Sequence, residues 1–212
     1  MQRQTIFLFW IFSINALVAQ TSWHTEDYFN WDHTSFRRNQ LFHQEFSRAN
    51  PDYLLLDAAI FYLTNEQRSS LGVPILPYHE LLEVAAFNHS MKMATTNFFS
   101  HWNPIDASRK STEDRGHLAG VANPKFAENI AYNYIDDGDT YLQVAAKLVD
   151  QWMTSPGHRS NILSQNGKQM GIGTYYLSER IYGTQVFQWF YFVVESQAGG
   201  TDKLPNYLHS FE

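Results

Sequence analysis

Three stretches of the chain carry the pattern of apolar and polar residues that is typical of α-helices, namely residues 52–72, 80–99 and 140–153. Asp52 can cap the start of the first helix, and Gly72 can end it. In the second stretch, residues that recur at spacings of three and four form one buried face. That face consists of Leu82, Ala85, Ala86, His89 and Met93. The corresponding side of the third helix consists of Ala145, Leu148, Val149 and Trp152.

Aromatic and β-branched residues concentrate late in the chain, in residues 170–176 and 184–195, and this composition predicts two strands. Residues 102–127 contain Pro, Gly, Asp and Ser, and we expect them to form a long loop. Helices that come first and strands that come late indicate an α+β domain built from packed layers.

The first residues, 1–19, have the layout of a secretory signal peptide. A basic Arg3 precedes an apolar run from Ile6 to Ile14, and the small residue Ala19 follows. The alternative is an N-terminal anchor that is not cleaved, although the run is too short to span a bilayer by itself. We therefore expect a secreted or periplasmic protein whose mature chain has no transmembrane segment.

Residues 20–50 form an extension ahead of the domain, which we place at residues 51–197, and residues 198–212 are expected to be a loose tail. Four apolar residues of the extension fit one helical stripe, so we expect a short helix that packs on the domain. They are Phe36, Leu41, Phe42 and Phe46.

The composition of the chain excludes several classes of function. The chain of 212 residues has no cysteine, so disulfides, thiol catalysis and thiolate metal sites are excluded, and a hydrophobic core must hold an exported protein together. The formal net charge of −6 provides no basic field that would attract nucleic acid, and we expect no nucleic-acid partner.

His158 is the first residue that can carry chemistry. It follows Ser155, which suits the N-cap of a helix, and Pro156, which suits its first position. The positive end of the helix dipole disfavours the charged imidazole and lowers the pKa of His158. A neutral imidazole can bind a metal ion or accept a proton. The alternative is a histidine that forms only local hydrogen bonds.

Two further candidates occur in the middle of the chain. His101 follows two phenylalanines at the end of the second helix, and its alternative role is that of a structural histidine at the edge of the core. Glu128 has apolar neighbours, and a buried carboxylate needs a partner or takes up a proton. The alternative for Glu128 is a solvated loop position. His89 is interpreted mainly as a core histidine, and Arg115 as a residue that braces loops.

Five ordered motifs together resemble those of the CAP superfamily, also called SCP or pathogenesis-related-1-like domains, and of its cysteine-poor bacterial branch in particular. They are NEQR (65–68), NHSMKMATTNFFSHWNP (88–104), AENIA (127–131), WMTSPGHRSNIL (152–163) and MGIG (170–173). The resemblance covers roughly residues 53–195. It implies a three-layer α-β-α sandwich with a central cavity that can bind a divalent metal such as zinc.

The same resemblance assigns roles to individual residues. It implies the metal ligands His101 and His158 and the candidate catalytic residue Glu128, and we expect Ser155, His89 and Asn129 to lie near the same cavity. The chain departs from the family pattern at Ala127, where glycine is usual. A second acidic residue, which many members have just after the tryptophan that matches Trp152, has no clear counterpart here.

Three functions remain open at this point. The first is an extracellular module that holds weak, exchangeable zinc and binds a peptide, lipid or glycan. The second is a hydrolase, in which Glu128 completes a zinc site or activates a water, or in which Ser100 or Ser155 acts with a histidine base. The sequence contains neither a nucleophile elbow nor an HExxH helix, which favours the first function. The third is a structural or adhesive exported protein.

Overall fold

The computed structural model describes residues 22–205, so the predicted signal peptide lies outside the described residues. Within this range the chain forms five α-helices and three β-strands. In chain order they are α1 (Tyr53–Ser70), α2 (Glu80–Thr95), α3 (Thr112–Ala119), β1 (Phe126–Tyr134), α4 (Tyr141–Thr154), α5 (Pro156–Ile162), β2 (Gly167–Leu177) and β3 (Arg180–Trp189). Short 3₁₀ segments lie at Thr25–Phe29, Phe36–Arg38, Gln40–His43 and Ala107–Arg109. Among residues 22–205, no helix is both long and apolar enough to cross a bilayer.

The strands form one antiparallel sheet in the order β1-β3-β2. Helix α2 packs on one face, where the Ser90 hydroxyl forms hydrogen bonds with the Gly173 carbonyl (2.7 Å) and the Thr184 hydroxyl (2.8 Å). Helix α1 packs on the other face, where the Thr174 hydroxyl donates to Asp57 Oδ1 at 2.7 Å. Helix α4 lies beside α1. The predicted three-layer α-β-α sandwich is therefore confirmed.

All three predicted helices are present, with small changes at their ends. The Asp52 side chain accepts a hydrogen bond from Leu55 N at 2.9 Å, and Gly72 follows α1 with a φ of 73°. Helix α2 ends at Thr95 rather than at residue 99, because the chain turns at Asn97, whose φ of 55° lies outside the helical region. The predicted inner faces of α2 and α4 are both buried.

The prediction of a bare loop at residues 102–127 is wrong, because this stretch contains α3 and the start of β1. Helix α3 begins with a capping box, in which the side chains of Ser111 and Asp114 each accept a hydrogen bond from the other residue's backbone N–H. The last strand also begins and ends earlier than the predicted residues 184–195. Phe190, with a φ of 67°, turns the chain out of the sheet.

We call residues 22–50 the arm. It forms three 3₁₀ segments instead of the single helix that was predicted, because Asn39 is extended and its side chain caps a new turn at Leu41 N. Five of its apolar side chains are nevertheless buried in the same core as α1 and α4: Trp23, Phe36, Leu41, Phe42 and Phe46. The expected packing of the arm on the domain is thus present, and the residues of the predicted stripe provide it.

Removal of the arm is expected to destabilise the domain. Each fully buried aromatic side chain contributes about 1.5–3 kcal/mol, and a loss of that size lowers the melting temperature of a chain of this length by several degrees. We therefore expect protease clipping near residue 50, followed by removal of the released peptide, to lower the melting temperature by about 5 °C or more. Mock-treated protein is the control. An unchanged melting temperature in the clipped protein would contradict this packing.

The expectation of a loose tail is wrong for the part of it that the structure describes. Leu204 is buried, and the buried Asp202 pairs with Arg109, whose Nη2 lies 2.6 Å from Asp202 Oδ1. This ion pair fixes the described end of the tail against the loop that follows α2. Residues 206–212 lie outside the described residues.

Candidate functional site

Glu128 lies at the centre of the candidate site. It is the third residue of β1, and its side chain is only 3% exposed. His101 Nδ1 lies 2.8 Å from Glu128 Oε1, and Arg115 Nη2 lies 2.5 Å from Glu128 Oε2. Both carboxylate oxygens are therefore engaged by protein groups. The structure brings His101 and Glu128 together as the sequence predicted, from positions 27 residues apart.

Arg115 is the functional residue that sequence reasoning undervalued. Its buried guanidinium also donates to the backbone carbonyls of His101 and Arg109, both at 3.2 Å. It thereby holds the loop that carries His101 and also supplies the positive charge that the buried Glu128 requires. The apolar neighbours of Glu128 indicated that this carboxylate needs a partner. They did not identify Arg115 as that partner, because the helix that presents it was not predicted.

The electrostatics of the site keep Glu128 ionised. Burial by itself would raise the pKa of the Glu128 carboxyl, but the charge of Arg115 and the hydrogen bond from His101 outweigh it, and the pKa is lowered below its ordinary value. An ionised carboxylate can only accept hydrogen bonds, so His101 Nδ1 must carry the proton. His101 Nε2 is then the nitrogen with the free lone pair in the neutral ring. The His101 side chain is 47% exposed, so this ring can be reached from solvent.

His158 lies in the first turn of α5, as predicted, with Ser155 at the N-cap and Pro156 at the first helical position. Its Nδ1 is buried without a hydrogen-bond partner among the described residues. Burial lowers the pKa of His158, and the neighbouring His101 lowers it further. The His101 and His158 ring centroids are 6.5 Å apart. The site thus places a neutral imidazole next to one whose orientation is set by Glu128.

Asn129 connects the sheet to α5. Its amide nitrogen donates to the His158 carbonyl at 3.1 Å and to Gln185 Oε1 at 3.0 Å. Its amide oxygen accepts a hydrogen bond from Asn161 Nδ2 at 2.9 Å. Asn129 is fully buried, so these bonds are shielded from water. Asn129 is therefore a residue that positions the backbone of His158.

His89 lies behind Glu128 and is fully buried. Its Nε2 donates to the Ser100 carbonyl at 3.0 Å and lies 3.9 Å from Glu128 Oε1. Burial, together with the charge of Arg115, lowers the pKa of His89 to about 4 despite the opposing effect of Glu128. His89 is therefore a neutral core residue that supports the loop before His101. It lies in the core, and it also lies close to Glu128.

The two candidate serines are not engaged with an imidazole among the described residues. Ser100 Oγ accepts a hydrogen bond from Trp102 N at 3.1 Å, and the Ser155 side chain makes no capping hydrogen bond. A serine nucleophile must lie within hydrogen-bond reach of its base. Both serines are close to a histidine in the sequence, but among the described residues the structure shows no nucleophile–base pair.

The residues present fit a divalent metal only as a weak site. Two imidazoles that share one zinc, with each nitrogen about 2.0–2.1 Å from the metal, have ring centres about 5 Å apart. The observed separation of 6.5 Å is larger, so the two rings would have to move closer together to share a metal. Between residues 22 and 205, no group of three or more His, Asp or Glu side chains is arranged to hold a metal ion. Glu128 is committed to His101 and Arg115 and is not a free ligand.

A three-layer α-β-α sandwich, with a buried glutamate that holds one histidine beside another, is the arrangement expected of an SCP domain. The sequence model of the cysteine-rich secretory protein family, CAP, matches residues 61–195. This match covers more than half of the chain, which therefore belongs to the CAP family. The match begins within α1, so the arm lies outside it.

Relatives and solved structures support the same assignment. The chain is 34% identical over 128 residues to the uncharacterized membrane protein YlbC of Bacillus subtilis, covering 60% of this chain and 33% of YlbC. It is 32% identical over 111 residues to the B. subtilis protein YkwD, covering 52% of this chain and 39% of YkwD. It is similar to a crystal structure of an extracellular SCP-domain protein from Bacillus anthracis, with a TM-score of 0.51 and 29% identity over 65% of this chain and 41% of that one. The chain thus spans about a third to two fifths of these proteins.

Proposed function

We propose that this chain is an extracytoplasmic binding module whose His101–His158 pair takes a divalent metal reversibly. The observation that supports the proposal is the hydrogen bond from His101 Nδ1 to the buried Glu128, at 2.8 Å. A carboxylate that accepts the proton of one ring nitrogen orients the ring and makes the other nitrogen a better metal ligand. The predicted signal peptide and the similarity to an extracellular SCP-domain protein support the location.

The proposed metal would be held by His101 Nε2 and by one nitrogen of His158, with Glu128 acting through His101 rather than as a ligand. Two protein ligands leave coordination positions for water or for a group of the bound partner. A bound metal would supply a Lewis acid that can attract an anionic or carbonyl oxygen of that partner. Such a site is suited to exchangeable binding rather than to structural zinc.

The surface beside the pair is suited to a macromolecular partner such as a peptide, lipid or glycan. Trp102, directly after His101, is 59% exposed, and Phe99 is 46% exposed. The Phe99 ring packs edge-on against Tyr132, with 5.1 Å between the ring centroids. Aromatic side chains are enriched at binding interfaces because they combine a large apolar area with low conformational entropy.

A zinc titration by calorimetry tests the proposal directly. We expect zinc to bind the mature protein at pH 7.5 and its Kd to rise by about tenfold at pH 5.5, because protons compete with the metal for neutral imidazole nitrogens. The lowered pKa of His158 keeps that ring neutral at the higher pH. The His101→Ala/His158→Ala double variant is expected to lose the binding. The absence of zinc binding to the wild-type protein would overturn the metal proposal.

A hydrolase remains the second candidate, and the His101–Glu128 pair favours it. A histidine whose Nδ1 proton is held by a carboxylate can act as a general base through Nε2, and here it would activate a water rather than a serine. Hydrolysis of a peptide or ester that proceeds without added zinc and is lost in Glu128→Gln would support this candidate. The assay must be run at a temperature at which the variant is folded.

A further inference from the structure

A second candidate site lies between the arm and the domain, far along the chain from the histidine pair. An open cavity of about 300 Å³ is lined by arm residues on one side and by α1 and the crossover before α2 on the other. We call it the arm cavity. Its volume is at the lower end of the range for small-molecule sites. The arm half of its lining lies outside residues 61–195, which match the CAP family.

Aromatic rings dominate the lining of the arm cavity: Tyr28, Phe29, Trp31, Phe61, Tyr62 and Tyr78. Tyr28 stacks on Tyr78 with a centroid separation of 3.9 Å and an interplanar angle of 11°. The Phe61 ring stands edge-on to Tyr28 and to Tyr78, at 85° and 86°. The lining therefore contains rings in two perpendicular orientations rather than one flat platform.

Two of the hydroxyl groups on these rings are already used within the protein. The Tyr78 hydroxyl donates to the buried Glu83, and the Tyr62 hydroxyl donates to the Trp31 carbonyl at 3.3 Å. These bonds fix the orientation of both rings. A ligand in the cavity would therefore meet aromatic surface rather than these two hydroxyl groups.

Asp32 adds a negative charge to the lining of the arm cavity. Hydrogen bonds from Thr34 and Ser35 lower the pKa of the Asp32 carboxyl to about 2, so it is ionised at any physiological pH. None of the described residues that line the cavity is lysine or arginine. The charge of Asp32 is therefore not neutralised by a cation within the lining.

We propose that the arm cavity binds an organic cation through an ammonium group. The faces of Trp and Tyr rings carry negative potential and attract cations, and a quaternary ammonium group gives up little hydration when it enters an aromatic-lined cavity. The Asp32 carboxylate, which is exposed to solvent, adds a Coulomb attraction that water screens in part. This proposal does not depend on the metal site, which lies on other elements of the fold.

The probe is choline, and the comparison compound is 3,3-dimethyl-1-butanol, which has the same shape but no charge. We expect calorimetry or NMR titration to show choline binding about tenfold or more tighter than the neutral compound. Asp32→Asn should weaken choline severalfold and leave the neutral compound unchanged. The matched control is Glu26→Gln, which removes one negative charge from an exposed arm residue outside the cavity lining.

Trp31→Leu should abolish choline binding, and circular dichroism would show whether that variant is folded. The His101→Ala/His158→Ala variant should bind choline normally, which separates this site from the metal site. Equal affinity for the two compounds would overturn the proposal in favour of a merely apolar pocket, and no choline binding would overturn it altogether. If the protein binds phosphatidylcholine vesicles and free choline releases it from them, the source of the cation is a lipid headgroup. Choline binding without vesicle binding would identify a free solute.

Discussion

Glu128→Gln is expected to lower the free energy of unfolding by about 3–5 kcal/mol at pH 7, because it leaves the Arg115 guanidinium buried without a counter-charge. Both side chains are nearly inaccessible, at 3% and 2% exposed, so water cannot replace the lost charge. The variant keeps an oxygen that can accept from His101, so the expected loss reflects mainly the unpaired charge. Denaturant titration of the wild type and the variant measures the difference.

Two further variants make this experiment decisive. In an Arg115→Met/Glu128→Gln double variant both charges are gone, and we expect much of the stability to return. Glu66→Gln is the surface control, because Glu66 pairs with Arg37 while their side chains are 27% and 50% exposed. Exposed pairs contribute at most about 1 kcal/mol. A loss in Glu128→Gln no larger than in Glu66→Gln would show that the buried pair does not organise the site.

The pH dependence of the same group has a definite sign. The pKa of Glu128 is lowered in the folded protein, so the folded state favours the ionised form more than the unfolded chain does. Its contribution to stability is therefore complete above the ordinary glutamate pKa of about 4.3 and is lost as the pH falls further. Glu128→Gln should accordingly differ most from the wild type at neutral pH, and the difference should shrink as the solution is acidified below about pH 4.

Local signals in the sequence were enough to predict much of the fold. Asp52 and Gly72 mark the ends of α1, and the spacing of apolar residues identifies the inner face of α2. Helix α3 was missed although Ser111 and Asp114 form a capping box, because Pro and Gly in the surrounding stretch favoured a loop. The arm was predicted as one helix because its apolar stripe has helical spacing, which does not reveal the break at Asn39.

The sequence predicted which residues belong to the site but not how they contact one another. The resemblance to the CAP family singled out His101, Glu128 and His158, and the structure places His101 beside both of the others. Sequence spacing could not reveal that both oxygens of Glu128 are taken by His101 and Arg115, because that depends on where α3 lies relative to β1. This geometry makes Glu128 an orienting residue rather than a metal ligand.

The MGIG motif shows how a sequence signal gains a physical meaning from the structure. An added Cβ at Gly173 would lie 1.9 Å from Phe87 N, and one at Gly171 would lie 2.2 Å from Glu83 N. Both nitrogens belong to the backbone of α2, which cannot move as a flexible side chain can. The two glycines therefore allow α2 to rest directly on β2.

Gly173→Ala is expected to destabilise the protein by about 3 kcal/mol or more, at the upper end of the cost of overpacking a core. The backbone of α2 must move away from the sheet to accommodate the methyl group, and the Ser90 hydrogen bonds to Gly173 and Thr184 would be strained. Denaturant unfolding measures the loss. Gly157→Ala is the matched control, since an added Cβ there meets nothing within 4 Å and alanine favours the helix by up to about 1 kcal/mol.

The same variant links the packing of α2 to the site. Helix α2 carries His89, which holds the Ser100 carbonyl, and the chain continues from there to His101. A displaced α2 should therefore move His101 relative to Glu128 and weaken zinc binding in Gly173→Ala, even under conditions in which the variant remains folded. Gly157→Ala should bind zinc as the wild type does. Normal stability in Gly173→Ala would contradict the close contact between α2 and β2. Normal zinc binding in a destabilised variant would show instead that the site tolerates movement of this helix.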